Sequence, residues 1–541
     1  MPRISRRAAL ASAGAASLPR FAIAQGDTRP AITIAVQRIA NSNTFDNLRE
    51  QSNVGERTAQ MFNERLIEID WRGDLGQKPG LATAWRRTDE KTLEVTLREG
   101  VVFHNGDPMT AEDVAARFSP AGMFGDSRPT VDGKTLPNAF SSIVGQGSKE
   151  LPREIPPVAR RLWPGLDRVE VVDKQTVRFV NATPDVTLEG RMAAMGSEII
   201  SRRAYDAAPT WLEYARKPVG AGPYAIREFK PDSYLILDAH DRYWGGRPPV
   251  KSIRLVEVPE VSSRINGLLA REYDFACDIP PDQIEAVEKN PGFEVLGGVI
   301  QNHRMTSFDK FHPQLADPRV RLAMSHAIDR KLIVDSLWAG RTRIPRGLQW
   351  EFFGDMFIGD WNVPEYDPAK ARDLLKQAGY KGDPIPYRLL NNYYVNQVPT
   401  AQVLVELWRQ VGVNVVIEMR ETFVQLRDRS QPRGVRDWSS GATLNDPVGS
   451  IVSNFGPNGA AQQAKEYGND EFTRLCVVLE TSADRALRRR AFARMLVIAE
   501  REDPAYAILH QAATFTAKRR DIKWKAMPAY QMDFGPGNFA I

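Results

Sequence analysis

Residues that bind metals or form disulfides are scarce in this sequence. The 541 residues include two cysteines, Cys277 and Cys476, and six histidines. No two histidines are four residues apart, as in a helical zinc site, and H-E-x-x-H does not occur. We therefore expect neither a metal site nor a cofactor. An oxidising compartment would permit one disulfide, but two cysteines so far apart are better explained as separate buried side chains.

A strong net charge and a long apolar run are also lacking. Lysine and arginine number 72 against 67 acidic residues, a formal net charge of +5, and residues 1–24 hold four arginines and no acid. The basic balance therefore gives no reason to expect a nucleic-acid partner. After residue 24 no stretch approaches the roughly 20 uninterrupted apolar residues of a membrane helix. With 42% hydrophobic residues, the chain is expected to form two to four soluble domains.

Complete catalytic motifs are missing as well. The sequence has no G-x-S-x-G, and G-K-T at 133–135 lacks the paired glycine of a phosphate loop, because Pro129 and Arg128 occupy the two possible positions. An enzyme would have to assemble its site from distant loops. We therefore expect a protein that is not an enzyme, with an exported hydrolase as one alternative.

The segment FHNGDPMTAEDV at 103–114 places His104 near three carboxylates. A metal site is one interpretation. The other is a turn at Asn105-Gly106 followed by a helix that Thr110 caps, with Asp113 three residues later as in a capping box. The second interpretation explains more of the residues, so this segment is expected to be structural.

The N-terminus has the pattern of an export signal. Arg6-Arg7 precede a weakly apolar segment, and Ala22-Ile23-Ala24 provides an A-x-A cleavage site. Residues 1–24 resemble a twin-arginine signal peptide, although Ala9 occupies a position where phenylalanine is usual. We expect export to the periplasm. No cysteine follows the cleavage site, so a lipid anchor there is not expected.

Hydrophobic periodicity predicts alternating strands and helices, which is typical of an α/β protein. Asp317-Pro318 and Asp367-Pro368 mark two helix starts. Residues 119–165, rich in Gly, Pro and Ser, are expected to form a long surface excursion. The predicted strands are 32–36, 169–180, 224–229, 234–239, 253–258, 273–277, 385–390, 413–419 and 505–510. The predicted helices are 55–69, 261–270, 317–340, 367–379, 401–410 and 486–502.

Four segments in order resemble the solute-binding proteins of ABC importers, in the family that includes dipeptide, oligopeptide and nickel-chelate receptors. The resemblance runs from about residue 30 to 541. It implies a two-lobed periplasmic binding protein fold of α/β class with an extra domain on the first lobe. The segments are LREGVVFHNGDPMTAEDV (97–114), VGAGPYAIREFK with DRYWGG (219–246), DPRVRLAMSHAIDRKLIV (317–334) and YDPAKARDLLKQAGY (366–380).

The resemblance also implies a division of the chain and a mode of action. A small solute bound between the lobes would stabilise the closed state, which the membrane subunits of an ABC permease would recognise. The protein is expected to act as a monomer without a cofactor. A periplasmic chaperone or sensor partner is a further alternative. The implied parts are lobe one at 28–72, 195–302 and 510–541, the extra domain at 73–194, and lobe two at 303–509.

The ligand class is where the sequence departs from its peptide-binding relatives. Those receptors carry an aspartate four residues before the proline of a D/E-P pair, which holds the peptide's α-ammonium. Here that position is Thr443, before Asp446-Pro447. Free peptides are therefore disfavoured, and an opine-like compound, a sugar conjugate or a blocked peptide is expected. Asp446 is expected to be a structural turn acid.

The family pattern places the ligand contacts in loops of both lobes. The tryptophan that usually lies three residues before the anchoring aspartate is replaced by Ser440, and Trp438 lies two residues further upstream. The candidate ligand-binding residues are Asn43, Thr44, Asn53, Tyr393, Tyr394, Trp438, Ser440 and Thr443.

Overall fold

The computed structural model describes residues 27–119, 123, 130–131, 134–135, 151–391, 393–430 and 433–541. The predicted signal peptide at 1–24 lies outside the described residues, as does much of the predicted excursion at 119–165. Within the described part of the chain, no helix is long and apolar enough to cross a membrane.

Strands and helices alternate along the described chain. The strands are β1 Ala31–Val36, β2 Ile67–Ile69, β3 Gln77–Pro79, β4 Ala82–Asp89, β5 Thr92–Leu97, β6 Thr130–Val131, β7 Lys134–Thr135, β8 Leu166–Val171, β9 Thr176–Asn181, β10 Tyr224–Lys230, β11 Tyr234–Ala239, β12 Ser252–Glu257, β13 Phe275–Ala276, β14 Phe293–Phe308, β15 Ile385–Leu390, β16 Val415–Arg420, β17 Val435–Gly441, β18 Tyr506–Arg519, β19 Lys523–Trp524 and β20 Phe539–Ala540. The α-helices are α1 Asn53–Phe62, α2 Ala111–Arg117, α3 Ile155–Leu162, α4 Leu188–Arg191, α5 Arg202–Ala207, α6 Trp211–Arg216, α7 Val261–Leu269, α8 Ile284–Glu288, α9 Pro318–His326, α10 Arg330–Trp338, α11 Pro368–Ala378, α12 Gln397–Gln410, α13 Phe423–Leu426, α14 Ile451–Phe455, α15 Ala460–Gln463, α16 Asp470–Thr481 and α17 Arg485–Val497.

Two long antiparallel strands, β14 and β18, join the two lobes. They occupy the middle of a ten-stranded sheet with the order β10-β11-β12-β1-β13-β18-β14-β17-β15-β16. Their pairing runs from Phe293 opposite Arg519 to Ser307 opposite Tyr506, and it shifts register between Val299 and His303. The first lobe contains the β10 to β13 side of this sheet and the second lobe contains the β17 to β16 side. The α/β, two-lobed fold is therefore confirmed.

A separate antiparallel sheet with the order β4-β5-β9-β8 lies beside the first lobe. Its inner face is apolar at every second residue: Leu93 and Val95 on β5, and Val177 and Phe179 on β9, are all fully buried. Such alternation is typical of a sheet with one covered face. Helices α2 and α3 contribute residues to the same core. The exact domain boundaries stay a prediction.

Local capping signals in the sequence correctly locate several helix ends. The carboxylates of Asp317 and Asp367 accept hydrogen bonds from the first turns of α9 and α11, and Gly379 ends α11 with a positive φ of 67°. Most predicted strands are also confirmed within two residues. The strand predicted at 505–510 starts as expected but continues as β18, and the helix predicted at 486–502 is α17 followed by a π-helical turn.

Two predicted helices are too long. The helix predicted at 317–340 is broken after His326, because Asp329 accepts a hydrogen bond from the Leu332 amide and starts α10. The helix predicted at 55–69 ends at Phe62, where Asn63 takes an extended conformation with φ −117° and ψ 154°. In both cases the apolar periodicity continues past the residue at which the backbone leaves the helical conformation, so periodicity alone predicts a helix that is too long.

Two further predictions, for the separate sheet and its helices, are wrong. The single strand predicted at 169–180 is the hairpin β8-β9, and Asp173 supports its turn by accepting a hydrogen bond from the Gln175 amide. The surface excursion predicted at 119–165 includes α3, whose Ile155 and Ala159 are fully buried in the core of the extra sheet. Ile155 and Ala159 are four residues apart, so they lie on one face of the helix and pack into this core, although the surrounding sequence is rich in Gly, Pro and Ser.

The two cysteines are separate and buried, as expected. Cys277 lies in the first-lobe core with its Sγ 3.6 Å from the sulfur of Met532. Cys476 lies on α16 in a core of the second lobe. Burial raises the pKa of the Cys277 thiol to about 11, so this thiol is unreactive at neutral pH.

Candidate functional site

A pocket open to solvent, with about 400 Å³ of empty space in it and at its mouth, lies beside the strands that join the lobes, and both lobes line it. We call it the hinge cavity. Its polar lining includes Gln37, Asn53 and Arg57 from the first lobe, and its aromatic lining includes Tyr393 and Tyr394 from the second. The structure therefore brings three candidate residues, Asn53, Tyr393 and Tyr394, to one place.

Hydrogen bonds cross directly between the lobes at this cavity. The Gln37 side-chain amide donates to the Tyr393 carbonyl at 2.7 Å, and the Asn53 backbone N–H donates to the Tyr393 hydroxyl at 3.0 Å. Asn53 is the first residue of α1, so its N–H has no partner within the helix. The hydroxyl of Tyr393, in the second lobe, therefore accepts the hydrogen bond of a free N–H at the start of a first-lobe helix.

Asp437, on β17 behind Tyr394, is fully engaged by its neighbours. Both of its carboxylate oxygens accept from Arg304 Nη2, at 2.7 and 2.8 Å, and the Gln397 amide donates to it at 2.6 Å. Burial acts to lower the pKa of Arg304, but the Asp437 charge outweighs it and raises that pKa. The Arg304 guanidinium carbon also lies 3.4 Å from the ring centroid of Tyr394.

Trp438 and Ser440 lie on one face of β17 and share a partner. The Trp438 indole N–H donates to the Asn454 side-chain oxygen at 3.2 Å, and the Asn454 amide donates to the Ser440 hydroxyl at 2.8 Å. Edge-to-face ring contacts run from Tyr394 to Tyr393, then to Phe423 and finally to Trp438. These contacts connect Trp438 to the aromatic wall of the hinge cavity.

A second pocket, of about 510 Å³ and open to solvent, lies between the extra sheet's helices and the second lobe. We call it the lobe-gap pocket. Thr443 lines it, but its hydroxyl donates to the Gly449 carbonyl at 2.8 Å and so supports its own turn. Across the pocket, Arg191 pairs with Glu480 at 3.0 Å and with Asp185 at 2.6 Å.

Asp446 has the structural role expected from the sequence. Arg488 Nη2 contacts both of its carboxylate oxygens, at 2.8 and 2.7 Å, and the Val448 amide donates to it at 3.1 Å. The acid therefore caps a short 3-10 turn and neutralises a buried arginine.

Asn43 and Thr44 line neither the hinge cavity nor the lobe-gap pocket. The Thr44 hydroxyl is buried and lies 2.8 Å from that of Ser42, within a loop that Glu50 holds. The Asn43 amide donates weakly to Asp232 at 3.4 Å. A ligand-binding role for these two stays a prediction.

Comparison with known proteins agrees with this two-lobed arrangement. The profile of the bacterial extracellular solute-binding proteins, family 5, matches residues 76–462. The chain belongs to this family. Family 5 proteins are the solute-binding components of ABC importers, so the function implied by the sequence resemblance is confirmed at that level.

Individual relatives of this family 5 protein are distant but match most of its length. The dipeptide-binding protein of Escherichia coli K12 is 24% identical over 483 residues, which is 85% of each chain. A dipeptide-binding protein from Pseudoalteromonas sp. SM9913, solved with Met-Leu, is 21% identical with a TM-score of 0.78 over 94% of this chain and 99% of that one. NikA from Staphylococcus aureus, solved with Ni(L-His)2, is 17% identical with a TM-score of 0.76 over 95% of this chain and 100% of the other. These solved structures share the fold.

The FHNGDP segment of this family 5 protein forms the predicted turn and cap. Thr110 and Asp113 form a reciprocal capping box at the start of α2. The His104 ring lies 3.1 Å from the Gly222 carbonyl, and burial lowers its pKa to about 4. The segment therefore links the extra sheet's helix to the first lobe.

Sequence reasoning missed several residues that line or approach the gap between the lobes. Arg161, which lines the lobe-gap pocket, lies in the segment predicted to be a surface excursion, and Arg427, which follows a four-residue helix, lies 5.4 Å from the ring centroid of Trp438. Gln37 and Asn454 are single polar residues without a motif. Only the proximity of distant segments in the fold reveals these four.

Proposed function

We propose that this family 5 protein is exported through a twin-arginine signal to the periplasm, where it captures a small solute between its lobes and delivers it to an ABC permease. One observation carries this proposal: Tyr393 of the second lobe bonds to Gln37 and to Asn53 of the first across the hinge cavity. A solute bound by the same surfaces would contact both lobes and would favour the closed state by its differential affinity. The protein acts as a monomer and needs neither nucleic acid nor covalent chemistry.

The proposed solute lacks a free α-ammonium group. Thr443 is neutral, and the two nearest acids along the chain, Asp437 and Asp446, are each held by a buried arginine. Glu480, across the lobe-gap pocket, is paired with Arg191. An unpaired ammonium buried among these groups would cost on the order of 2–5 kcal/mol. An opine-like compound, a sugar conjugate or a blocked peptide avoids that cost, and the eight candidate residues of the sequence analysis stay the proposed contacts.

Two other functions are compatible with the same two-lobed fold: an exported hydrolase, and a periplasmic chaperone or sensor partner. One experiment distinguishes each of them from solute capture. Incubation with peptide, ester and glycoside libraries would show turnover for an exported hydrolase and stoichiometric binding for a receptor. A periplasmic chaperone or sensor partner would instead retain an unfolded protein or a membrane sensor. Native mass spectrometry of protein purified without denaturation identifies which of these is retained, and we expect one small molecule per chain.

Lobe closure is tested with Tyr393→Phe, which keeps the ring but removes the hydroxyl that accepts from the Asn53 N–H. A lost neutral hydrogen bond costs about 0.5–1.5 kcal/mol, so the retained solute should bind roughly 2- to 12-fold more weakly. Tyr366→Phe, on an exposed tyrosine, is the matched control and should bind like the unaltered protein. Small-angle scattering should show compaction on binding. Solute turnover, or binding without compaction, would contradict the proposal.

A further inference from the structure

The charged side chains that line the hinge cavity are neutralised inside the protein. Arg57 Nη2 lies 2.8 and 2.7 Å from the two carboxylate oxygens of Asp278, and both residues are buried. Arg304, which lines the same cavity, is paired with Asp437 as described above. An ion that entered the cavity would lose its hydration and would meet no unpaired counter-charge among the described lining residues. The cavity therefore favours an uncharged group.

Hydrogen-bonding atoms of both kinds remain free in the lining of this cavity. Its free donors, which have no acceptor among the described residues, are the buried Arg57 Nη1 and the hydroxyl protons of Tyr393 and Tyr530. Its free acceptors, to which no described residue donates, are the side-chain oxygens of Gln37 and Asn53. The amide nitrogens of these two side chains are already used, at 2.7 Å to the Tyr393 carbonyl and at 3.5 Å to the Ser439 hydroxyl.

This mixture of free donors and acceptors distinguishes between the groups that a solute can present. An ionised carboxylate only accepts hydrogen bonds and an ammonium group only donates them, so each would leave part of the lining unpaired. A hydroxyl both donates and accepts, and several hydroxyls on one small skeleton can pair with donors and acceptors together. The rings of Tyr394 and Tyr530 add apolar lining, against which the C–H groups of such a skeleton can pack.

We propose that the hinge cavity binds an uncharged, hydroxyl-bearing part of the transported solute, with the chemistry of a sugar or polyol, and that Arg57 and Tyr530 determine this specificity. The inference rests on the proposed function, and among the solutes named there it selects the sugar conjugate. A solute with no oxygen at this point leaves the Arg57 Nη1 donor buried and unpaired. Such unpaired polar groups are what allow a site to reject analogues that lack a hydroxyl.

The free atoms come from both lobes, so this recognition is coupled to lobe closure. Gln37 and Asn53 belong to the first lobe, and Tyr393 belongs to the second. A skeleton whose hydroxyls pair with both sides makes more hydrogen bonds in the closed state than in the open one. The uncharged group itself therefore favours closure by its differential affinity.

Tyr530→Phe is the most direct test, because it removes one free donor and keeps the ring. The Tyr530 hydroxyl bonds to no described residue, so the Tm of the ligand-free variant should shift by no more than about 2 °C. Its affinity for a neutral sugar should fall roughly 2- to 12-fold. Tyr366→Phe, which removes an exposed hydroxyl, is the matched control and should bind like the unaltered protein. Arg57→Lys keeps the charge opposite Asp278 but lacks Nη1, and it should also bind the sugar more weakly.

Calorimetry with sugars of one skeleton and different charge provides the probes. Glucose is compared with glucuronate and glucosamine, and galactose is compared with galacturonate and galactosamine. The amide of N-acetyl-dialanine represents an uncharged solute without hydroxyls. We expect at least one neutral sugar to bind at least about tenfold more tightly than its acid, its amine and the peptide amide.

Three results would overturn the inference. No neutral sugar binds, a charged sugar or the peptide amide binds as tightly as the neutral sugars, or Tyr530→Phe binds the neutral sugar as tightly as the unaltered protein does. Small-angle scattering distinguishes these failures from a failure of the proposed function. Compaction by a charged sugar or by the amide alone would overturn this inference and leave solute capture standing. Turnover of a probe, or binding without compaction, would contradict the proposed function itself.

Discussion

Asp437→Asn removes the negative charge from the buried Arg304–Asp437 ion pair. If Asp437 serves only to neutralise Arg304, and not to bind a ligand's ammonium group, this variant should destabilise the protein. Arg304 is 4% exposed and receives two contacts from the Asp437 carboxylate, so the variant leaves a buried guanidinium without a counter-charge. Breaking one side of a buried ion pair costs about 3–5 kcal/mol. For a lobe of about 150–250 residues, each kcal/mol lowers the Tm by about 2–4 °C, so the second-lobe transition should fall by ~6–20 °C.

The assay is differential scanning calorimetry, with Asp373→Asn as the control. Asp373 lies on the exposed face of α11, and its variant makes the same change of charge, so its Tm should shift by no more than about 2 °C. A loss below about 2 °C in Asp437→Asn would refute the reasoning. Asp437 would then be a free acid beside Tyr394, available to hold the α-ammonium of a peptide.

Three further predictions test export, the FHNGDP turn and a buried acid. Changing Arg6 and Arg7 together to lysine should leave the precursor in the cytoplasm on fractionation, and a normal periplasmic yield would contradict a twin-arginine signal. His104→Ala should lower the Tm without changing the metal content, whereas elemental analysis showing one metal per chain, lost in the variant, would restore the metal interpretation. Burial raises the pKa of Glu56 from 4.5 to about 7, so its contribution to stability is complete below pH 4.5 and is lost as the pH rises towards 7. In Glu56→Gln, the Tm should decrease less between pH 4.5 and 7 than in the unaltered protein. An equal decrease of Tm in the two proteins would argue against a protonated Glu56.

Local chemistry explains which parts of the fold were predictable. The Asp317 and Asp367 caps and the period-two strands act within a few residues, and both are visible in the sequence. The break at Asp329 was not predicted, because its side chain competes with an apolar pattern that continues through it. The long strand β14 was also missed, since its burial depends on pairing with β18, which lies about two hundred residues away in the sequence.

The candidate site was predictable only in part, for a similar reason. The tyrosines at 393 and 394 were found through the family pattern, and the fold brings them to Asn53. Thr443, in contrast, is used by its own turn. Gln37 and Asn454 carry no local signal, because their bonds to Tyr393, and to Trp438 and Ser440, form only once distant segments are brought together.

We propose that this protein closes around a solute that needs no acid to hold an α-ammonium group. Calorimetry with free dipeptides and their N-acetylated counterparts tests it most directly. We expect the acetylated dipeptides to bind more tightly than the free ones, and Thr443→Asp to narrow this difference in affinity by supplying the missing carboxylate. Submicromolar binding of free dipeptides to the unaltered protein, tighter than the roughly −8.2 kcal/mol that corresponds to 1 μM, would contradict it.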